Sequence, residues 1–106
     1  MRKEKVKDII YKEYQRQINM DFSDLIKWKN NPLSKLASES RKPINLALRL
    51  STHKSKWTTR HYRGALKAIS YLKRAKKIKS KNHVGKTRLT YNDIALRNWG
   101  YDSKRR

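Results

Sequence analysis

Residues 73–81 read KRAKKIKSK, six cationic side chains in nine. Lysine and arginine at this density do one chemistry well, which is to neutralise and orient phosphates. The run follows TRHYRGALKAISYLKR, whose apolar residues recur at helical spacing, so the charge is expected on a helix and the loop beyond it. The candidate phosphate-contacting set is therefore Arg60, Arg63, Lys67, Lys73, Arg74, Lys76 and Lys77 on the helix and its continuation, with Lys79, Lys81, Lys86 and Arg88 in the loop. Arg63 and Lys67, one turn apart, would be the base readers if that helix entered a major groove. Cations near a helix C-terminus also offset the dipole, by about 0.3–1 kcal/mol each. Six exceed that structural use.

The other constellations are weaker. VGKT resembles the end of a phosphate-binding Walker loop, yet Ser80 stands where that motif needs its first glycine and no buried strand precedes it. His53, His61 and His83 lack cysteines and the i, i+4 spacing of helical metal ligands, so no metal or cofactor is expected. Eight acidic residues are scattered along the chain, and Asp21, Asp24 and Asp93 have capping roles to fill. No Gly-x-Ser-x-Gly elbow is present. The chain is not expected to be an enzyme; a metal-dependent nuclease would require Asp21, Asp24 or Asp93 to converge. Among the aromatics, Trp57, Tyr62 and Trp99 suit core packing, while Tyr71, Tyr91 and Tyr101 remain candidates for stacking on bases.

These groups need a frame, and 106 residues allow one small core. The charge is divided unevenly. Residues 1–40 hold nine Lys/Arg against six Asp/Glu, a net +3, whereas residues 41–106 hold twenty against two, a net +18. With no cysteine there are no disulfides or thiolate sites. No apolar run approaches the roughly 20 residues that cross a bilayer, and the basic N-terminus has no signal-peptide core, so a cytoplasmic location without a membrane partner is expected.

The spacing predicts an all-α single domain, a small bundle of about five helices over residues 1–102 with a frayed basic tail at 103–106. Val6, Ile9, Ile10, Tyr14 and Ile18 mark an amphipathic helix within residues 1–20. Asp21 or Ser23 caps a short helix carrying Leu25 and Trp28, which would offer a dimer surface if left out of the core. Pro32 and Pro43 each open a helix, the second burying Ile44, Ala47, Leu48 and Leu50. STHKSKW reads as a loop. The longest helix lies near residues 58–77, capped by Thr58 or Thr59, stapled by Trp57, and buried along Tyr62, Ala65, Leu66, Ile69 and Leu72. Gly64 within it suggests a second backbone passing close. SKNHVGKTR reads as an exposed basic loop. Thr90 and Asp93 then form a capping box for a helix with Ile94, Ala95 and Trp99, stopped by Gly100.

DFSDLIKW, WTTRHYRGALKAISYLKR and the ending ALRNWGYD together resemble a family of small helical microbial proteins, sometimes labelled DNA-binding. The likeness covers residues 21–102, with RNWGYD its most specific piece. Arg60 and His61 stand where that family has an acidic residue. The resemblance implies DNA binding without a mechanism.

The expected partner is nucleic acid, DNA over RNA, most simply duplex DNA held through phosphates in a nucleoid or accessory regulatory role; no small-molecule substrate is expected. The rival is a ribosomal or ribosome-associated protein embedded in folded RNA. Oligomeric state does not follow from the sequence.

Overall fold

The computed structural model describes residues 3–36, 41–78, 83–85 and 87–105. Five α-helices occur among the described residues: α1 (Lys3–Gln17), α2 (Phe22–Lys29), α3 (Lys42–Leu50), α4 (Thr59–Ala75) and α5 (Tyr91–Asn98). Short 3-10 turns follow α2 (Pro32–Lys35) and α3 (Lys54–Lys56). The chain is an all-α bundle with principal extents of 49 × 26 × 24 Å.

Local chemistry sets most boundaries. Asp21 and Asp24 form a reciprocal capping box on α2, with Asp24 N–H donating to Asp21 Oδ1 at 2.8 Å. Thr90 and Asp93 do the same for α5. That helix ends at Gly100 (φ +102), where Tyr101 N–H reaches the Leu96 carbonyl and Gly100 N–H reaches that of Arg97, the paired closure of a left-handed stop. The stretch STHKSKW, expected as a loop, holds a helical turn because His53 Nδ1 accepts the Ser55 N–H.

The longest helix, α4, packs chiefly on α1, and the two run in the same direction. Lys7 lies over the Tyr62 ring, Lys73 pairs with Glu13 at 3.4 Å, and Lys76 donates to the Gln17 carbonyl at 2.7 Å. Their interface holds Tyr14, Trp57, Tyr62, Ala65, Ala68 and Ile69. A second cluster joins α2, α3 and α5 through Leu25, Trp28, Ile44, Ala47 and Ile94. Leu72, Ala75 and Leu96 extend the core toward the end of α4, where Ile18 and Trp99 bridge to the first cluster.

Several expectations change here. Val6 and Ile9 are 39% and 53% exposed, because the apolar face that α1 turns to the first cluster is made by Ile10, Tyr11 and Tyr14, with Ile18 just beyond the helix end. Leu66 is 51% exposed, and Ala68 takes its place in the α1–α4 seam. Leu25 and Trp28 are core residues and offer no dimer surface. What approaches Gly64 is a side chain rather than a backbone: a Cβ there would lie 2.5 Å from Leu46 Cδ1. The basic loop is not wholly exposed, since Val84 and Leu89 enter the second cluster and Val84 N–H bonds the Leu89 carbonyl at 2.8 Å. Residues 103–105, expected to fray, are tied down: Ser103 donates to Asp93 at 2.6 Å and Arg105 pairs with Asp24 at 2.8 Å.

A buried polar chain links the short elements. Trp28 Nε1–H donates to Asn98 Oδ1 at 2.7 Å, and Asn98 Nδ2 donates to the Ser34 carbonyl at 3.0 Å. Asn19 holds the C-terminal segment in the same manner, exchanging two hydrogen bonds of 2.9 and 2.7 Å with the backbone of Asp102. Among the described residues no helix is long and apolar enough to cross a membrane.

Candidate nucleic-acid interface

Helical geometry sorts the cations of α4 into two groups. At about 100° per residue, Arg60, Arg63, Lys67 and Arg74, with Lys77 just past the helix end, fall on one stripe roughly opposite the buried face. The rise of about 1.5 Å per residue places Arg60 and Arg74 about 21 Å apart. All five are exposed. Lys73 and Lys76 fall toward α1 instead. Lys73 pairs with Glu13, while Lys76 donates to both the carbonyl and Oε1 of Gln17 and lies 4.1 Å from the Tyr101 ring centroid. Partial burial pushes the Lys76 ammonium down from its usual range, a pull that the Glu13 carboxylate opposes. Lys76 thus satisfies the C-terminal end of α1. Arg88 is exposed on the turn before α5. Lys79, Lys81 and Lys86 lie outside the described residues.

The N-terminal half of the stripe borders a groove that the sequence did not announce. It lies between α3 and α4, has a volume of about 1040 Å³, and carries Lys42 and Arg49 on one side with Arg60, Arg63 and Lys67 on the other. Lys42 and Arg49 are two helical turns apart, so α3 presents them together. Their signal was available as i, i+7 spacing in KPINLALR, but nothing marked α3 as the neighbour of α4. Between the rims lie Pro43, Leu46, Leu50, Gly64 and Trp99. Gly64 is what lets Leu46 lie flat against α4.

Among the described residues no acidic side chain lines this groove. The described carboxylates are engaged elsewhere: Asp8 pairs with Lys54, Glu13 with Arg16 and Lys73, Asp102 with Arg97, and Asp21, Asp24 and Asp93 cap helices. The Asp24 carboxyl is pulled down to about 2, chiefly by the Arg105 guanidinium and then by the Asp21 N–H. A cationic face with few acids beside it presents a strong field to an external anion.

His61 closes one end of the groove wall in a fixed orientation. Its Nδ1 accepts the Thr58 N–H at 3.0 Å, in place of the carboxylate usual at the third position of a capping box. Its ring stacks on Trp57 at 6.1 Å between centroids. His53 likewise caps a turn, and among the described residues no group of three His, Asp or Glu gathers as metal ligands. Gly85 (φ +56) sits in the turn between Val84 and Leu89; among the described residues no strand leads into it, and the next helix begins only at Tyr91, unlike a Walker loop.

Of the aromatics left open, Tyr71 stacks on Trp99 at 4.5 Å and 20°, Tyr101 lies under Lys76, and Tyr91 stays 53% exposed. Burial pushes the Tyr71 hydroxyl up, against the opposing Arg74 charge. Trp57 and Tyr62 are buried as expected, and Trp99 is half-buried at the groove. In comparisons with known proteins, the chain matches no family model, no curated protein and no solved structure, so the likeness drawn from RNWGYD stands as an expectation.

Proposed function

We propose that this protein binds nucleic acid, DNA in preference to folded RNA, through backbone phosphates laid along the α4 stripe and the adjoining groove rim. One observation carries the reading: the net charge of +21 includes Arg49 of α3 and Arg60, Arg63 and Lys67 of α4 facing one groove with no acid among its described lining residues, continued by Arg74 and Lys77. Phosphate neutralisation by such a set releases counterions and supplies affinity without reading sequence. Preference for DNA is supported by a fold that closes its own core and ties down its C-terminal segment. The capping boxes at Asp21 and Thr90 likewise predict a cooperative melt of the free protein, which is what an independently folded domain would show. A nucleoid or accessory regulatory role in the cytoplasm follows from this reading.

The test is a competition titration. Labelled duplex DNA bound to the protein is challenged with unlabelled duplex and with folded RNA of equal phosphate content over a range of salt. Duplex should hold against RNA near physiological ionic strength. If RNA displaces it there, the ribosome-type reading replaces this one, and equal competition with steep salt loss reduces the surface to a general polyanion binder.

A further inference from the structure

The groove between α3 and α4 has a floor that phosphates cannot use. Pro43, Leu46 and Trp99 with the Gly64 backbone form an apolar base beneath the cationic rims, and Leu50 lies fully buried behind them. A duplex keeps its bases stacked inside and offers sugar and phosphate outward, so it would meet the rims and leave the floor unfilled. Unpaired nucleotides present both chemistries at once: phosphates for Lys42, Arg49, Arg60, Arg63 and Lys67, and flat base faces for the surface between them. The volume of about 1040 Å³ lies at the upper end of what encloses a drug-sized molecule and holds more than one base.

Two aromatic rings of the groove are ordered before any ligand arrives. Trp99 is backed by Tyr71 at 4.5 Å, and His61 by Trp57 at 6.1 Å. Because a backbone N–H can only donate, the Thr58 contact to His61 Nδ1 leaves the neutral ring with its proton on Nε2, a hydrogen-bond donor on a groove-wall residue. Pre-ordered rings lower the entropic cost of docking a base.

We infer that this groove is a binding site for unpaired nucleotides, with phosphates on its two cationic rims and bases on its apolar floor. The inference rests on the nucleic-acid reading above and narrows it. The preferred ligand becomes DNA with a single-stranded stretch in the groove and flanking duplex on Arg74 and Lys77.

Fluorescence anisotropy with the full chain tests this using four labelled probes. They are a mixed-sequence single strand, the same strand with abasic sugars at its centre, a duplex of equal phosphate content, and an acidic amphipathic peptide. The intact strand should bind at least about fivefold tighter than the abasic strand, the lower bound for a stacked base, and tighter than the duplex. Arg49→Glu should remove that preference, whereas Lys12→Glu, the same charge change on exposed α1, should leave it. Equal binding of intact and abasic strands overturns the groove inference while the nucleic-acid reading stands. If neither strand nor duplex binds, both fall. If only the peptide binds, and Arg49→Glu abolishes it, the occupant is an acidic protein helix and the inference is overturned. A Lys12→Glu loss equal to that of Arg49→Glu places the site elsewhere and also overturns it.

Discussion

Replacing Arg63, Lys67 and Arg74 together with Gln removes three cations from the exposed stripe of α4 without touching the α1 interface. The net charge falls from +21 to +18. If each cation neutralises one duplex phosphate, the slope of log affinity against log salt flattens by about 0.9 per contact, or about 2.7 in all. Over a fourfold rise in salt, from about 50 to about 200 mM, the unmodified protein should then lose about 40-fold more affinity than the triple variant. The matched control is Lys5→Gln, Lys12→Gln and Lys27→Gln, three exposed positions on α1 and α2 with the same charge change. Anisotropy titrations with duplex DNA at several salt concentrations read both slopes. If the control flattens the slope as much as the stripe variant, affinity follows total charge and the stripe is no interface.

Four further outcomes follow from the packing. Lys76→Gln should lower the thermal midpoint by removing the contact to the Gln17 carbonyl, while leaving the salt slope of duplex binding unchanged; a slope change would return Lys76 to the interface. Asn98→Ala removes the acceptor of the buried Trp28 Nε1–H and a donor to the Ser34 carbonyl, and urea unfolding should register a loss of about 2–3 kcal/mol; under about 1 kcal/mol would mean water replaces Asn98. Gly64→Ala gains about 1 kcal/mol of helix propensity but drives its Cβ into Leu46, so it should stabilise only in a Leu46→Ala background. Additive effects of the two changes in thermal melts would refute that contact. Asp24 is held down near 2 in the folded state, below the unfolded value near 3.9, so its stabilisation is complete above about pH 4 and disappears as pH falls toward 2. The stability difference between the wild type and Asp24→Asn should vanish over that window, and a constant difference would deny the Arg105 pairing its role.

Sequence alone determined the helical class and most helix ends, because those depend on contacts within a few residues. Asp21, Thr90 and Asp93 act as caps and Gly100 stops α5 through bonds spanning three to five positions, which spacing reveals. The excess of cations over residues 41–106 was equally legible, being a property of composition. Tertiary structure decided which apolar residues meet and which cations remain available. Val6, Ile9 and Leu66 share helical periodicity with buried neighbours, yet α1 and α4 touch along a strip too narrow to cover them. Lys73 and Lys76 look like any other lysine in KRAKKIKSK until α1 brings Glu13 and Gln17 beside them. The groove itself joins Lys42 and Arg49 to Arg60, Arg63 and Lys67 across a helix boundary, and Gly64 permits the approach by leaving room for Leu46. Periodicity records which face of a helix is apolar, but the partner of that face is set by the packing of distant segments, and no local spacing encodes it.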